Sequence, residues 1–334
     1  FPRFRNIAPA LGVNTFSNAG GALIEDFNGD GWLDIATSTW EPGGAMQLHL
    51  ADGAGGFVEV SAEGGLAGIT GGLNMVQADY NNDGHVDLLV LRGGWLGRNG
   101  SQPNSLLRNN GDGSFTDVTF AAGLAEQHFP TQTAAWADFD NDGHLDLYVG
   151  NESSSGTTTY GGTTFEGQIS PSQLFRNNGD GTFNDGAAAA GVQNMRFTKG
   201  VSWGDFNGDR WPDLLVSNYG RANRLYQNNG DGTFTDVARA SGVQNPQMSF
   251  PAWFWDFDND GALDIYIASY GGHVASVGAH YLGLRVPGEV TGHYRGDGQG
   301  GFVNLAEEQG LSYPVLPMGS NFGDLTTEGF RDFS

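Results

Sequence analysis

Six times along a chain of 334 residues the same nine-residue acidic pattern recurs, so the fold must supply one sharp polar turn six times over. The first copy sets Asp26, Asn28, Asp30 and Asp34 at positions 1, 3, 5 and 9, with Gly31 at position 6 and Trp32 at position 7. The second has Asp79, Asn81, Asp83 and Asp87 around Gly84 and His85, and the third has Asp138, Asp140, Asp142 and Asp146 around Gly143 and His144. The fourth keeps Asp205, Asn207, Asp209 and Asp213 but carries Arg210 in place of the glycine, followed by Trp211. The fifth has Asp256, Asp258, Asp260 and Asp264 around Gly261 and Ala262. The sixth retains Asp324, Glu328 and Asp332, with Thr326 at position 3.

Oxygen donors at alternating positions, with a glycine for the turn, are what a hard divalent cation requires. The first part of the helix–loop–helix calcium loop uses the same 1, 3, 5 spacing and a main-chain carbonyl at position 7. By that logic Trp32, His85, His144, Trp211 and Ala262 offer backbone oxygens, and the two histidine rings are bystanders. Here the closing carboxylate comes at position 9, and apolar runs such as Leu88–Val90 and Leu147–Val149 follow it. The loop therefore joins two strands. The expected cofactor is Ca²⁺, about five to six ions per chain. Loops three and five, with four carboxylates each, are expected to bind most tightly. The sixth, short of a ligand at Thr326, is expected to be weakest, and the fourth next weakest, because Arg210 must adopt positive φ and brings a cation close.

Twenty of the 38 acidic residues fall inside these loops, so the formal charge of −23 is concentrated where a cation would neutralise it. What remains negative still repels nucleic acid and anionic membrane. No run of 18 apolar residues spans a bilayer, and with no cysteine both disulfides and thiol catalysis are excluded. Plain calcium loops suit the millimolar calcium of an extracellular or cell-surface setting. The start at Phe1, with neither an initiating Met nor a leader, predicts a processed or excised chain.

The loops begin at residues 26, 79, 138, 205, 256 and 324. A second motif follows most of them: Leu106–Val118, Leu174–Phe183 and Leu225–Val237 each carry Asn-Gly-Asp-Gly between apolar runs, a hairpin signal. An Ala-rich ending closed by glycine recurs at Ala121–Leu124, Ala187–Val192 and Ala238–Val243. Four short strands per unit, at periods of 50 to 70 residues, predict an all-β chain. The arithmetic is that of a β-propeller with about six four-stranded blades, or seven, forming a single domain over residues 1–334. Trp136, Trp203, Phe254 and Phe322, two residues before their loops, are expected in the core between blades. No helical periodicity stands out. Residues 153–164 predict an exposed loop, and residues 271–292 an irregular insertion. Residues 4–7 match the last strand of a unit, so this strand is expected to complete the last blade or to enter a neighbouring molecule.

At these residues the chain resembles the FG-GAP/VCBS repeat proteins, which include the integrin α-subunit propellers. The runs Phe115–Val118 and Asp138–Asp146 look similar to bacterial relatives of cartilage acidic protein. The resemblance implies a propeller, usually seven-bladed, secreted or surface-exposed, with ions in the loops, and it implies no reaction. It also implies a further blade and a C-terminal domain that this sequence lacks.

No catalytic residue is predicted. The histidines, including His273, His280 and His293 of the insertion, have no zinc spacing. The aspartate pairs that might suggest glycoside hydrolysis are already assigned to calcium. The expected function is adhesion, scaffolding or extracellular assembly, including filament formation. The partners are other protein chains, copies of itself among them. A lectin-like role is the alternative, with a glycan stacked on Trp40 or Trp95, and a polysaccharide-acting enzyme ranks third.

Overall fold

The computed structural model describes residues 5–14, 17–160, 163–284, 288–317, 319, 322–323 and 332–333. The chain is all-β and contains five four-stranded antiparallel sheets. The first holds β1 (Ala22–Glu25), β2 (Asp34–Thr37), β3 (Gln47–Ala51) and β4 (Phe57–Glu59). The second holds β5 (Gly72–Ala78), β6 (Asp87–Arg92), β7 (Ser105–Asn109) and β8 (Phe115–Asp117). The third holds β9 (Thr131–Ala137), β10 (Asp146–Asn151), β13 (Gln173–Asn177) and β14 (Phe183–Asp185), and between them comes a separate hairpin, β11 (Thr157–Tyr160) with β12 (Thr163–Glu166). The fourth is β15 (Thr198–Gly204), β16 (Asp213–Asn218), β17 (Arg224–Asn228) and β18 (Phe234–Asp236). The fifth is β19 (Ser249–Trp255), β20 (Asp264–Ser269), β21 (Gly292–Gly296) and β22 (Phe302–Asn304). A last pair, β23 (Phe322–Gly323) with β24 (Asp332–Phe333), flanks the sixth loop. The chain groups into two compact units. One comprises Phe1–Gln132, Gly156–Gly167 and Asn177–Asn184, and the other Thr133–Ser155, Gln168–Arg176 and Asp185–Ser334.

Each of the first five acidic loops joins the first two strands of a sheet, and each Asn-Gly-Asp-Gly turn joins the last two. In the second sheet the turn places Gly111 and Gly113 at φ of 81° and 79°, which only glycine adopts without cost. Its ladder closes through the Asn110 N–H donating to Ser114 O at 2.9 Å. The second strands are buried along their whole length, six residues out of six in β6, β10, β16 and β20. That burial accounts for their unbroken apolar runs, because both faces are covered. On β16, Leu214 and Val216 point into a cluster with Tyr148 and Leu174 of the third sheet. Leu215 points the other way, into a cluster with Ile265 and Ile267 of the fifth. Trp203 sits in the first of these clusters and Phe254 in the second, as expected of the aromatic two residues before the loop. The side chain of Phe322 lies outside the described residues.

Three short α-helices among the described residues correct the expectation of none. α1 (Ala8–Leu11) and α2 (Ala187–Ala190) are single turns ended by Gly12 and Gly191 in the left-handed conformation. The recurring Ala-rich ending is a helical turn with a glycine cap at Ala187–Ala190 and a hydrogen-bonded turn at Ala121–Leu124 and Ala238–Val243. The predicted strand over residues 4–7 begins outside the described residues, and its residues 5–7 are irregular backbone leading into α1. The insertion read as irregular holds α3 (Val274–Tyr281), which has no buried residue. Its apolar groups face solvent, so no amphipathic stripe marks it in the sequence. The stretch read as an exposed loop forms the β11–β12 hairpin, whose threonines favour an extended backbone although its apolar content is low.

One buried ion pair interrupts the apolar interior. Lys199 on β15 pairs with Glu152, both side chains being at most 1% exposed, and the ammonium lies 4.5 Å from the centroid of the Phe197 ring. Burial holds Lys199 down to about 8 against the pull of Glu152.

Candidate metal centres

Five of the six predicted loops can be followed atom by atom, and they share one conformation. Position 4 has positive φ in every copy, occupied by Gly29, Asn82, Asn141, Gly208 and Asn259, and so does position 6, including Arg210 at 72°. The sequence pattern shows position 6 as glycine. That position 4 must be Gly or Asn follows from the same backbone demand. Two left-handed residues turn successive N–H groups inward onto the first aspartate. Asp26 Oδ1 accepts from Gly29 and Asp30 N–H at 2.8 and 3.1 Å, and its Oδ2 from Gly31 N–H at 2.8 Å. Asp205 repeats this, with Arg210 N–H at 2.7 Å in place of the glycine. The position-5 carboxylate accepts from the position-7 N–H, for example Trp32 to Asp30 Oδ1 at 2.8 Å and His144 to Asp142 Oδ1 at 3.0 Å.

The position-9 aspartates lie deeper. Asp34, Asp87, Asp146, Asp213 and Asp264 are at most 1% exposed. In four of them each oxygen accepts a main-chain N–H, one from position 2 of the loop and one from the end of the third strand. For Asp213 these donors are Phe206 at 3.1 Å and Asn228 at 2.8 Å, and for Asp34 they are Phe27 at 2.9 Å and Ala51 at 2.8 Å. Asp87 and Asp264 are held in the same way. The first asparagine of the hairpin motif adds a latch to the preceding repeat. Asn109 Nδ2 donates to Phe27 O at 2.9 Å, Asn177 to Tyr80 O at 2.9 Å, and Asn228 to Phe139 O at 2.8 Å. In the sequence these asparagines read as turn residues alone.

The third and fifth loops gather acid most closely. One carboxylate oxygen from each of Asp138, Asp140 and Asp142 lies within 4.8 Å of the others, and the same holds for Asp256, Asp258 and Asp260. In both, the position-3 Oδ1 (Asp140 and Asp258) is buried and accepts no hydrogen bond. A buried, unsatisfied anionic oxygen costs about 1–3 kcal/mol or more unless something neutralises it. A hard cation ringed by oxygens fits that donor set. In the other loops Asn28, Asn81 and Asn207 turn Nδ2 toward the position-5 carboxylate at 2.8–3.0 Å, offering one oxygen and less charge. Asp324 and Glu328 of the sixth loop lie outside the described residues, as does the side chain of Asp332.

The electrostatics of the loops have a pH consequence. Burial pushes Asp87 and Asp213 up to about 7 and Asp264 to about 6, neighbouring loop carboxylates pushing the same way and the backbone N–H bonds opposing them. A carboxyl whose folded pKa lies above its unfolded value weakens the fold at high pH, where it must be charged, and that weakening is relieved as pH falls through the folded value. In chelator the chain is therefore expected to melt at a higher temperature at pH 5.5 than at pH 8. Thermal melts at the two pH values check this, and a lower melting temperature at pH 5.5 contradicts it.

Position-7 side chains do more than stand in solvent. The Trp211 ring lies over Gly230 and the His85 ring over Gly111, so close that a Cβ at either glycine would meet the ring at 3.0 and 2.4 Å. These two acidic loops are thereby keyed to the hairpin turns of their own sheets. Trp40 spends its indole N–H on Gly94 O at 3.3 Å, and Trp95 sits in a turn at φ 70°. Trp211 instead borders a groove of about 370 Å³, lined also by Asp140, Leu174, Arg176, Ala189 and Asp231. A second concavity, beside the first sheet, includes Glu41, His49, Glu59 and Ser61. Hydrogen bonds from the Ser61 hydroxyl and N–H hold Glu59 below the ordinary carboxyl range, which makes it a poor proton donor.

The FG-GAP-like repeat profile matches residues 26–90, 95–149, 163–216 and 205–267, stretches that contain the five described loops. Human cartilage acidic protein 1 is 38% identical over 105 residues, covering 29% of this chain and 15% of that protein. The mouse protein of the same name is 30% identical over 159 residues, covering 47% of this chain and 24% of that one. The aligned part is thus a quarter or less of the relatives' length. Among solved structures, the V. cholerae biofilm matrix protein Bap1 aligns at a TM-score of 0.44 and 15% identity, over 86% of this chain and 38% of that one. No described helix is long and apolar enough to cross a membrane.

Proposed function

From the premise that the chain belongs to the FG-GAP-like repeat family, we propose that it is a calcium-stabilised β-propeller acting as an extracellular adhesion or assembly module. The observation that carries the calcium part is the pair of matched loops, Asp138–Asp146 and Asp256–Asp264. Each converges three carboxylates and leaves a buried oxygen of Asp140 or Asp258 unsatisfied. The five four-stranded sheets, with the β23–β24 pair as the start of a sixth, support a ring of about six blades. Relatives named for cartilage support a place outside the cell.

The assembly part rests on α3. Val274 and Tyr281 are each 81% exposed and Leu282 78%, a concentration of apolar surface on one short segment that supports an interaction role for it. Sedimentation of the whole chain in calcium, compared with a Val274→Glu, Tyr281→Glu double variant, tests it. Self-association lost in the variant supports assembly through this segment. A wild-type chain that stays monomeric at high concentration in calcium removes the self-assembly reading.

A lectin-like role is the second reading, and the groove beside Trp211 favours it, with an aromatic face next to the polar groups of Asp231 and Arg176. Binding on a glycan array that disappears in Trp211→Ala would support this reading over assembly.

A further inference from the structure

We propose that Arg176 sets the calcium affinity of the loop Asp138–Asp146, making it a weaker, concentration-responsive site beside its otherwise matched counterpart at Asp256–Asp264. The inference rests on the calcium reading above. By sequence the two loops are equals, each with aspartate at positions 1, 3, 5 and 9. Their geometry is also matched, with the same three carboxylates converging and the same position-3 Oδ1 buried without a partner.

They differ in what reaches them from the third strand. Arg176 on β13 lays Nε 2.6 Å from Asp140 Oδ2 and a terminal guanidinium nitrogen 3.2 Å from Asp142 Oδ2. The corresponding residue of β21 is also arginine. Phe175 pairs with Leu147 and Tyr294 with Ile265, which places Arg176 and Arg295 at the same register. Yet Arg295 makes no ion pair among the described residues, whereas Arg176 bridges two carboxylates.

Two roles are open to a guanidinium in this place. It can orient the carboxylates for an ion, or it can oppose the ion by its charge. The fifth loop decides between them, because it gathers the same three carboxylates with no arginine attached. Orientation is therefore not what Arg176 supplies. Its contacts are to Asp140 Oδ2 and Asp142 Oδ2 and leave Asp140 Oδ1 without a hydrogen-bond partner, so that oxygen stays open to an ion while the net negative charge of the loop falls by one. The Arg176 side chain is 55% exposed, and solvent screening keeps the effect modest, about fivefold in affinity.

Calorimetric calcium titration of the metal-stripped full chain tests this with two arginine variants and one loop variant. Asp258→Asn is expected to weaken the tightest class of sites, identifying it with the fifth loop. Arg176→Gln is expected to tighten one weaker class by about fivefold, while Arg295→Gln leaves the isotherm unchanged. Circular dichroism of each variant confirms that it is folded. Calcium binding that is unchanged or weakened in Arg176→Gln overturns the role given to Arg176 while sparing the calcium reading. A wild-type chain that takes up no calcium overturns both.

Discussion

Removing calcium is expected to lower the melting temperature of this chain by roughly 10–20 °C. Each ion that binds the folded state with a Kd about a hundredfold below free calcium stabilises it by about 2.7 kcal/mol. Five independent loops give an upper bound of about 13 kcal/mol, comparable with the whole stability of a typical domain. A protein of this size loses about one to two degrees per kcal/mol, by the usual entropy of unfolding per residue. The physical source is the repulsion among loop carboxylates. Asp256, Asp258 and Asp260 crowd within 4.8 Å of one another, and a bound divalent charge removes that penalty at neutral pH. Magnesium, which demands a tighter octahedral shell, should restore little of the loss. Scanning calorimetry in chelator, in calcium and in magnesium checks the order, and superimposable melts in chelator and calcium would refute it.

The second large effect is expected at position 9, and it persists without any ion. Both oxygens of Asp213 accept main-chain N–H bonds, from Phe206 and Asn228, in a fully buried setting. Asp213→Asn keeps the shape but must point an amide NH₂ at one of those donors, leaving two donors facing each other. Each unsatisfied buried group costs about 1–3 kcal/mol, so a loss of about 2–4 kcal/mol is expected in denaturant unfolding even with chelator present. By contrast Asp209→Asn, on an exposed position-5 residue, should change stability in chelator by less than about 1 kcal/mol. Equal effects of the two variants in chelator would show that position 9 acts only as a ligand and not as a clasp between the loop and β17.

These two results separate what the sequence makes plain from what it conceals. The strand–loop–strand repeat is legible because its turns need glycine, asparagine and aspartate at fixed places, and because strands such as β16, packed on both faces, must be apolar throughout. The glycine or asparagine at position 4 was equally present in the sequence. Its role emerges only once φ at Asn82, Asn141 and Asn259 is known. The latch made by Asn109, Asn177 and Asn228 is hidden because those residues already have a local explanation in the hairpin turn. α3 is missed because its apolar residues face solvent, so no buried stripe repeats every three to four residues. The Arg176 bridge is missed for a different reason: Arg176 and Arg295 occupy the same place in the repeat, and only their side-chain paths distinguish them.

Native mass spectrometry of the chain purified in calcium shows whether the acidic loops are calcium seats. About five tightly held calcium ions are predicted on the folded chain, falling by one in the Asp258→Asn variant and to none after chelation at neutral pH. A folded chain that carries no calcium at millimolar free ion, with charge states identical to those in chelator, would show that the loops are not calcium seats.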